Sequence, residues 1–345
     1  MPRLIVERIA MAHPGDVSAV AALIASGRLR AGEIRAVVGK TEGNGGLNDF
    51  TRGYFIQSLM ALLAEHTGET PAALAARIPC VLSGGTEGVL SPHAVIFGVR
   101  DEAAQGRGLA LGTAFGAALP RDAAGTDAQI AAVEAAVRAA MASAGIADPT
   151  LVFVKTPAGS LAAMARARAA AALGAARALG DVPAARATAA ALLRDYTLFS
   201  PRVAISAGIE VPCDEVLVLG EAPGWTAGLT LGVRPMADVL DIAAVRDLMR
   251  SLGLDADPGV PEAQRPRLRA VFAKGEPDVS GAVRGARHTM LGDTDLDAQR
   301  HLRAALGAVV ASITGDGRVF VSGGAEHQGP PGGGLVAAIV EQPPA

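Results

Sequence analysis

The sequence predicts an α/β protein made of three homologous β-α-β-α-β repeat units, arranged with pseudo-threefold symmetry around one central site. Three observations carry this. A short serine turn returns three times, as VLSGGTEG at 81 to 88, AISAGIE at 204 to 210 and FVSGGAEHQG at 320 to 329. The same order of strands and helices recurs with a period near one third of the chain, the signature of a repeat architecture. The 345-residue chain also has only three lysines against 28 arginines, and each unit holds one lysine at the same place.

Each third opens on an apolar strand: RLIVERIAM from Arg3, GLALGTAF from Gly108 and GLTLGVRP from Gly228. An amphipathic helix follows, from Asp16, Thr126 and Ala237, with apolar residues at three-and-four spacing and a glycine stop signal. Asp16, Thr126 and either Asp238 or Asp241 are placed to cap these helices or sit in their first turns. Strands ending in lysine come next: IRAVVGK to Lys40, PTLVFVK to Lys155 and LRAVFAK to Lys274. A second, arginine-bearing helix leads to the serine turn, and HAVIFGVR, EVLVLGEA or LVAAIVE closes the unit. The units are expected at 1–104, 108–223 and 227–345, joined by the short linkers DEAAQGR and PGWTA. The irregular stretch at 254 to 266 reads as a loop inside the third unit.

Composition narrows the function. A net charge of −3 and an isoelectric point near 6.1 leave no electrostatic footprint for nucleic acid. No apolar run reaches the roughly 20 residues that span a bilayer, and no secretory signal is evident, so a soluble cytoplasmic protein without membrane partners is expected. Cys80 and Cys213 stand in no metal or disulfide pattern and read as small core residues. Aromatic residues make up only 3%, so the core must rest on Ala, Val, Leu and Ile.

The lysines point to chemistry. Arginine stays protonated at any accessible pH, whereas a desolvated lysine amine can approach neutrality and act as a base. Lys40, Lys155 and Lys274 therefore mark positions where a positive charge alone was not enough. Ser83, Ser206 and Ser322 follow them by 43, 51 and 48 residues. The small residue after each serine, Gly84, Ala207 or Gly323, lets backbone approach a ligand, and two successive N–H groups there suit an oxyanion. A serine beside a neutral lysine is an activated nucleophile. Arg52, Arg168 and Arg300 on the second helices complete three Lys-Arg-Ser sets, with Arg166 a competitor for Arg168. Such a site suits a small polar ligand of nearly threefold hydrogen-bonding character. The residues alone do not choose among the three serines.

GKTEGNGGLNDFTRG (39 to 53), LSGGTEGVLSPH (82 to 93), SAGIE (206 to 210), RHTMLGD (287 to 293) and VSGGAEHQGPPGGG (321 to 334) resemble the cyanuric acid hydrolase and barbiturase family of ring-opening amidohydrolases. The resemblance covers nearly the whole chain. It implies hydrolysis of one C–N bond in a six-membered cyclic imide or ureide, without an organic cofactor. Ser206 is then the nucleophile and Lys155 its general base, while Lys40, Ser83, Gly84, Ala207, Lys274, Ser322, Gly323 and the three arginines hold the substrate. The resemblance also implies a homotetramer and a structural Mg2+ or Ca2+ near the third unit. Glu276 matches its carboxylate ligand, and the backbone carbonyls of Ala325, Gln328, Gly329, Pro330 and Gly333 match the rest. His288, His301 and His327 have no zinc spacing and are expected on the surface or in hydrogen bonds. The second unit is compressed and alanine-rich between Lys155 and Ser206.

Cyanuric acid, with three equivalent carbonyls, is the expected substrate. Barbituric acid or a related ring is the alternative, and a non-catalytic ligand-binding protein or scaffold is the reading from another class.

Overall fold

The computed structural model describes residues 1–103 and 106–343. Residue 104, the expected end of the first unit, and residues 344 and 345 of the third lie outside the described residues. The first unit runs β1 (Pro2–Ala10), α1 (Ser18–Ala25), β2 (Ile34–Thr41), α2 (Thr51–Thr67), α3 (Pro71–Ala75), β3 (Cys80–Gly84) and β4 (His93–Asp101). The second runs β5 (Arg107–Phe115), α4 (Asp127–Ala144), β6 (Leu151–Pro157), α5 (Leu161–Leu179), β7 (Val203–Gly208) and β8 (Glu215–Pro223). The third runs β9 (Leu229–Met236), α6 (Ile242–Ser251), β10 (Leu268–Gly275), the hairpin β11 (Ala282–Val283) and β12 (Ala286–Arg287), α7 (Ala298–Thr314), β13 (Phe320–Gly323) and β14 (Gly334–Glu341).

Three four-stranded sheets share one topology, β1-β4-β2-β3, β5-β8-β6-β7 and β9-β14-β10-β13. The lysine strand and the serine strand are parallel in every sheet; the other pairs are antiparallel. Parallel neighbours need a crossover of a dozen or more residues, and α2, α5 and α7 provide it. Register then fixes the chemistry: Lys40 lies opposite Ser83, Lys155 opposite Ser206 and Lys274 opposite Ser322.

Strand side chains alternate faces, so the residues two before each lysine and serine share their face. These are Val38, Phe153 and Phe272, and Val81, Ala204 and Phe320, and all six belong to one core shared by the three sheets. Phe153 and Phe272 meet edge to face with centroids 4.9 Å apart, and both touch Phe320. Each such pair adds about 0.5–1.5 kcal/mol beyond simple burial. The central cluster thus forms an apolar floor beneath the lysines and serines.

The opposite faces pack on helices, Val37 and Leu82 with Phe55 and Leu59 of α2, and Val271 and Val321 with Leu302 and Leu306 of α7. In the second unit Ala169, Ala170 and Leu173 of α5 pack with Ile130 of α4. Small side chains are needed there, since a Cβ at Gly174 would stand 2.5 Å from the Ile130 carbonyl oxygen.

The caps resolve the open positions. Asp241, not Asp238, caps α6 and accepts from the Ala244 N–H, while Asp238 pairs with Arg284. Thr126 is the N-cap of α4, but its hydroxyl donates to Ala123 O instead of accepting from the helix. Asp16 lies before the α1 cap and accepts from the Ser18 N–H. The stretch at 254 to 266 is a loop that ends in a short 3-10 helix, Glu262–Arg267.

Candidate active site

The three serine turns converge on a cavity of about 640 Å3 lined by Ser83, Ser206 and Ser322, with Arg52, Lys155, Arg168, Arg300 and Arg303. Gly84, Ala207 and Gly323 line it too. Lys40 and Lys274 lie buried behind Ser83 and Ser322, to which their amines donate at 3.2 and 3.0 Å. Both amines also donate to the carbonyl that follows the serine, Gly84 at 2.9 Å and Gly323 at 3.2 Å.

Lys155 is held differently. Its amine donates to Leu82 O at 2.9 Å and Ala207 O at 3.3 Å, and it forms an ion pair with Glu210 Oε1 at 2.6 Å. Ser206 Oγ instead sits 3.2 Å from Ser322 Oγ. The register places Lys155 and Ser206 side by side, but their hydrogen bonds run to other groups.

Burial lowers all three lysines. Lys40, with Arg303 nearby, and Lys274, with Arg168 nearby, fall well below the usual amine range. Lys155 falls to about 8, because burial and Arg52 lower it while Glu210 opposes them.

The expected pair of free N–H groups is not found in the first and third turns. The Gly85 N–H donates to Thr41 O and the Gly324 N–H to Gln299 Oε1, so in these two turns the second donor is already used.

Arg52 is buried and donates to Glu210 Oε1 at 2.6 Å, Asp49 Oδ2 at 3.2 Å and Gly46 O at 3.0 Å. Arg168 grips both oxygens of Glu326 at 2.6 and 2.9 Å, whereas Arg166 turns away to Gly125 O. Arg300 reaches Glu87 through Nε alone at 3.1 Å. The more buried Arg303 takes both Glu87 oxygens at 2.5 and 2.9 Å.

Sequence reasoning missed this acidic set. Glu87, Glu210 and Glu326 each stand four residues after a serine of the repeated turn. Glu326 is buried and the carboxylates of Glu87 and Glu210 are largely enclosed, yet each is held below the usual carboxylate range, because its cations outweigh the cost of burial. Each arginine comes from another unit than its glutamate, with the same 158-residue separation for Arg52–Glu210 and Arg168–Glu326. The signal was a Ser-x-Gly-x-Glu pattern present in all three turns.

In the third unit, the Glu276 carboxyl is buried and in no ion pair among the described residues. Burial, then Glu326, pushes it up to about 8. The loop beside it closes through Gln328 N–H to Ala325 O and Gly333 N–H to Pro330 O, while Glu276 N–H donates to Gly333 O. The Gln328 side chain accepts from the Ile205 N–H and donates to two loop carbonyls, Gly324 O and Glu326 O. One carboxylate among backbone oxygens fits a hard cation. Among the described residues no cluster of three or more His, Cys, Asp and Glu side chains is placed to hold a metal. His327 is buried: its ring bonds Leu198 O at one nitrogen and accepts the Leu193 N–H at the other, which ties this loop to the second unit. Cys80 is buried as expected, but Cys213 is only half-buried.

A family model described as amidohydrolase ring-opening protein matches residues 5–341. The chain belongs to this ring-opening amidohydrolase family. It is 45% identical to a cyclic amide hydrolase of Azorhizobium caulinodans, over 97% of this chain and 98% of that one. It is 43% identical to a cyanuric acid amidohydrolase of Bradyrhizobium diazoefficiens, over 96% of each. A solved cyanuric acid hydrolase, described as an evolutionary innovation by structural concatenation, superposes with a TM-score of 0.94 at 40% identity, covering 99% of this chain and 100% of that one. The threefold repeat read from the sequence is therefore the ring-opening amidohydrolase fold, and the chain is a hydrolase of that family. No helix among its described residues is long and apolar enough to cross a membrane.

Proposed function

We propose that this chain opens the ring of cyanuric acid by hydrolysing one C–N bond to give carboxybiuret, with Ser206 as nucleophile and Lys155 as general base. The observation that carries this is the register match of lysine and serine in all three sheets, aimed at one cavity. Three corners of like chemistry suit a ring with three equivalent carbonyls.

The family resemblance makes the second corner the reactive one in this reading, and Lys155, lowered by burial to about 8, has an accessible neutral form near physiological pH, as the more strongly lowered Lys40 and Lys274 also do. Ser206 and Lys155 leave adjacent strands on the same face, so a side-chain rotation brings the amine to the hydroxyl. The Ser206 oxygen adds to a ring carbonyl carbon as its proton passes to Lys155. The tetrahedral adduct then collapses, the ring C–N bond breaks, and the departing nitrogen takes the proton from the lysine ammonium. Water adds to the resulting ester with Lys155 again as base, and Ser206 leaves with its proton restored. Lys40 and Lys274, behind Ser83 and Ser322, hold the other two carbonyls, with Arg52, Arg168 and Arg300 as further ligands.

The units would follow the boundaries 1–104, 108–223 and 227–345. Glu276 with the carbonyls of Ala325, Gln328, Gly329, Pro330 and Gly333 would hold Mg2+ or Ca2+, which would brace the loop that carries Glu326. No organic cofactor enters the reaction. The family resemblance supports a homotetramer, and a cytoplasmic location is part of this proposal.

Barbituric acid or a related ring is the second reading, favoured by the asymmetry of the corners. The residue opposite each lysine on the antiparallel side is His93, Glu215 or Leu335, and one turn has Ala207 where the others have glycine. Incubating the purified protein with each compound and following loss of ring absorbance separates the two. Turnover of neither would overturn both.

A further inference from the structure

The three corners share a serine, a lysine and a turn glutamate, but they are wired differently. Glu87 is ion-paired to Arg300 and Arg303, and Glu326 to Arg168; among the described residues neither is paired to a lysine. Glu210 alone takes both kinds of cation, since its Oε1 accepts from Arg52 at 2.6 Å and from Lys155 at 2.6 Å. Its Oε2 is buried without a hydrogen-bond partner. A single carboxylate oxygen therefore fixes the relative positions of a lysine from the second unit and an arginine from the first.

We infer that Glu210 is a positioning residue for ring opening: by anchoring Lys155 and Arg52 on one oxygen it makes the second corner chemically distinct from the other two. This rests on the reading that Lys155 is the base. Without Glu210, the Lys155 amine keeps only the carbonyls of Leu82 and Ala207, both of which hold it beside the wall of the cavity. In the other corners the amine donates straight to its serine, and the turn glutamate is left to the arginines. Glu210 thus withholds Lys155 from a permanent bond to Ser206, whose hydroxyl partner among the described residues is Ser322.

The charged groups that face Lys155 are Glu210 after β7, Arg52 on α2 and Glu215 on β8, directly opposite in register. Glu215 is engaged by the Cys80 N–H at 2.6 Å, and burial pushes it up to about 7. Removing the Glu210 charge leaves burial and Arg52 to act on the amine, and both favour its neutral form.

The test uses the full chain labelled with 15N-lysine, which gives only three side-chain signals, with Lys155 assigned from Lys155→Arg. In Glu210→Gln the Lys155 signal should titrate about one pH unit or more lower than in the wild type. The acid limb of kcat/KM on cyanuric acid should move down with it, and kcat should fall about 10- to 100-fold from misplacement of the base. Glu87→Gln, which loosens Arg303 and Arg300 to a similar degree, should raise KM while leaving the Lys155 signal and the acid limb in place. If Glu210→Gln does not fold, Glu210→Asp replaces it. The shorter side chain keeps the charge, so it should hold the acid limb near its wild-type position with a reduced kcat. A wild-type Lys155 titration in Glu210→Gln, an equal displacement in Glu87→Gln, or a wild-type kcat in Glu210→Asp would overturn the inference. The lysine signals need no turnover, so a protein inactive on cyanuric acid would remove the substrate reading while the titration still decides the role of Glu210.

Discussion

Ser206 and Ser322, from different units, bring their hydroxyl oxygens within 3.2 Å of each other across the cavity. Ser322 also receives the Lys274 amine at 3.0 Å, so Ser206 ends a chain that begins at the third unit's lysine and not at its own. A ligand seated among the three corners has to part the two hydroxyls, which leaves Ser206 with a lone pair and Ser322 as a donor still held by Lys274.

Replacing the serines separates their roles. Ser206→Ala should lower kcat on the order of 10^4-fold or more, as loss of a nucleophile does. Ser83→Ala and Ser322→Ala should act more on KM. Steady-state kinetics on all three variants checks this, and comparable kcat losses with unchanged KM would remove the distinction.

Lys155→Arg keeps a positive charge but removes the amine that can become neutral, so kcat should fall by about 10^2- to 10^4-fold while binding of an unreactive ring survives. In the wild type the base must be unprotonated. The acid limb of kcat/KM should therefore rise toward a plateau through pH about 8. A rate that is flat from pH 6 to 9 would exclude Lys155 as the base.

Glu215 gives a pH dependence of stability. Its carboxyl is pushed up to about 7 by burial, against an ordinary value of 4.5. The folded state then binds more protons than the unfolded state between those values, so this contribution is fully present below 4.5 and is lost as pH rises through 7. Glu215→Gln keeps an oxygen for the Cys80 N–H and should flatten the fall in stability over that window. Urea unfolding at a series of pH values measures it.

Gly84→Ala should cost about 1–3 kcal/mol of stability and most of the activity, because a Cβ there overlaps Asp49 Oδ2. Asp49 is itself buried and held by Arg52, so it has little room to yield. Ala207→Gly, at the equivalent place in the second turn, should leave the fold intact. Thermal unfolding of both variants tests the contrast.

The two arginines of the third unit should separate in the same way. Arg303→Ala leaves the largely enclosed Glu87 carboxylate with only the single Nε contact of Arg300 and should destabilise by about 1–3 kcal/mol. Arg300→Ala removes a half-exposed partner and should stay within about 1 kcal/mol. Denaturant midpoints of the two variants decide which arginine the fold depends on.

The lysines and serines were legible in the sequence because only lysine provides an amine that burial can bring toward neutrality, and the period of the chain aligned each with a serine. The helices and strands followed from apolar spacing and glycine stops. The glutamates were printed in every turn, but their meaning lies in partners on other units, 158 or 216 residues away. Arg300 and Arg303 stand three apart on one helix, so spacing alone gives both the same face. For His327 the sequence showed a histidine in a glycine-rich loop and nothing of Leu193 or Leu198, the backbone it grips in the second unit.

The arginine–glutamate pairs form a closed circuit: the first unit lends an arginine to the second, the second to the third, and the third to the first. The order in which peptide bonds string the units together does not enter this circuit. A circular permutant opened at a linker and rejoined at the old termini would keep every pair. A chain with one unit deleted would lose two of the three and leave an arginine and a glutamate each without its partner from the neighbouring unit, so the unit that repeats in sequence is electrostatically a third of an object.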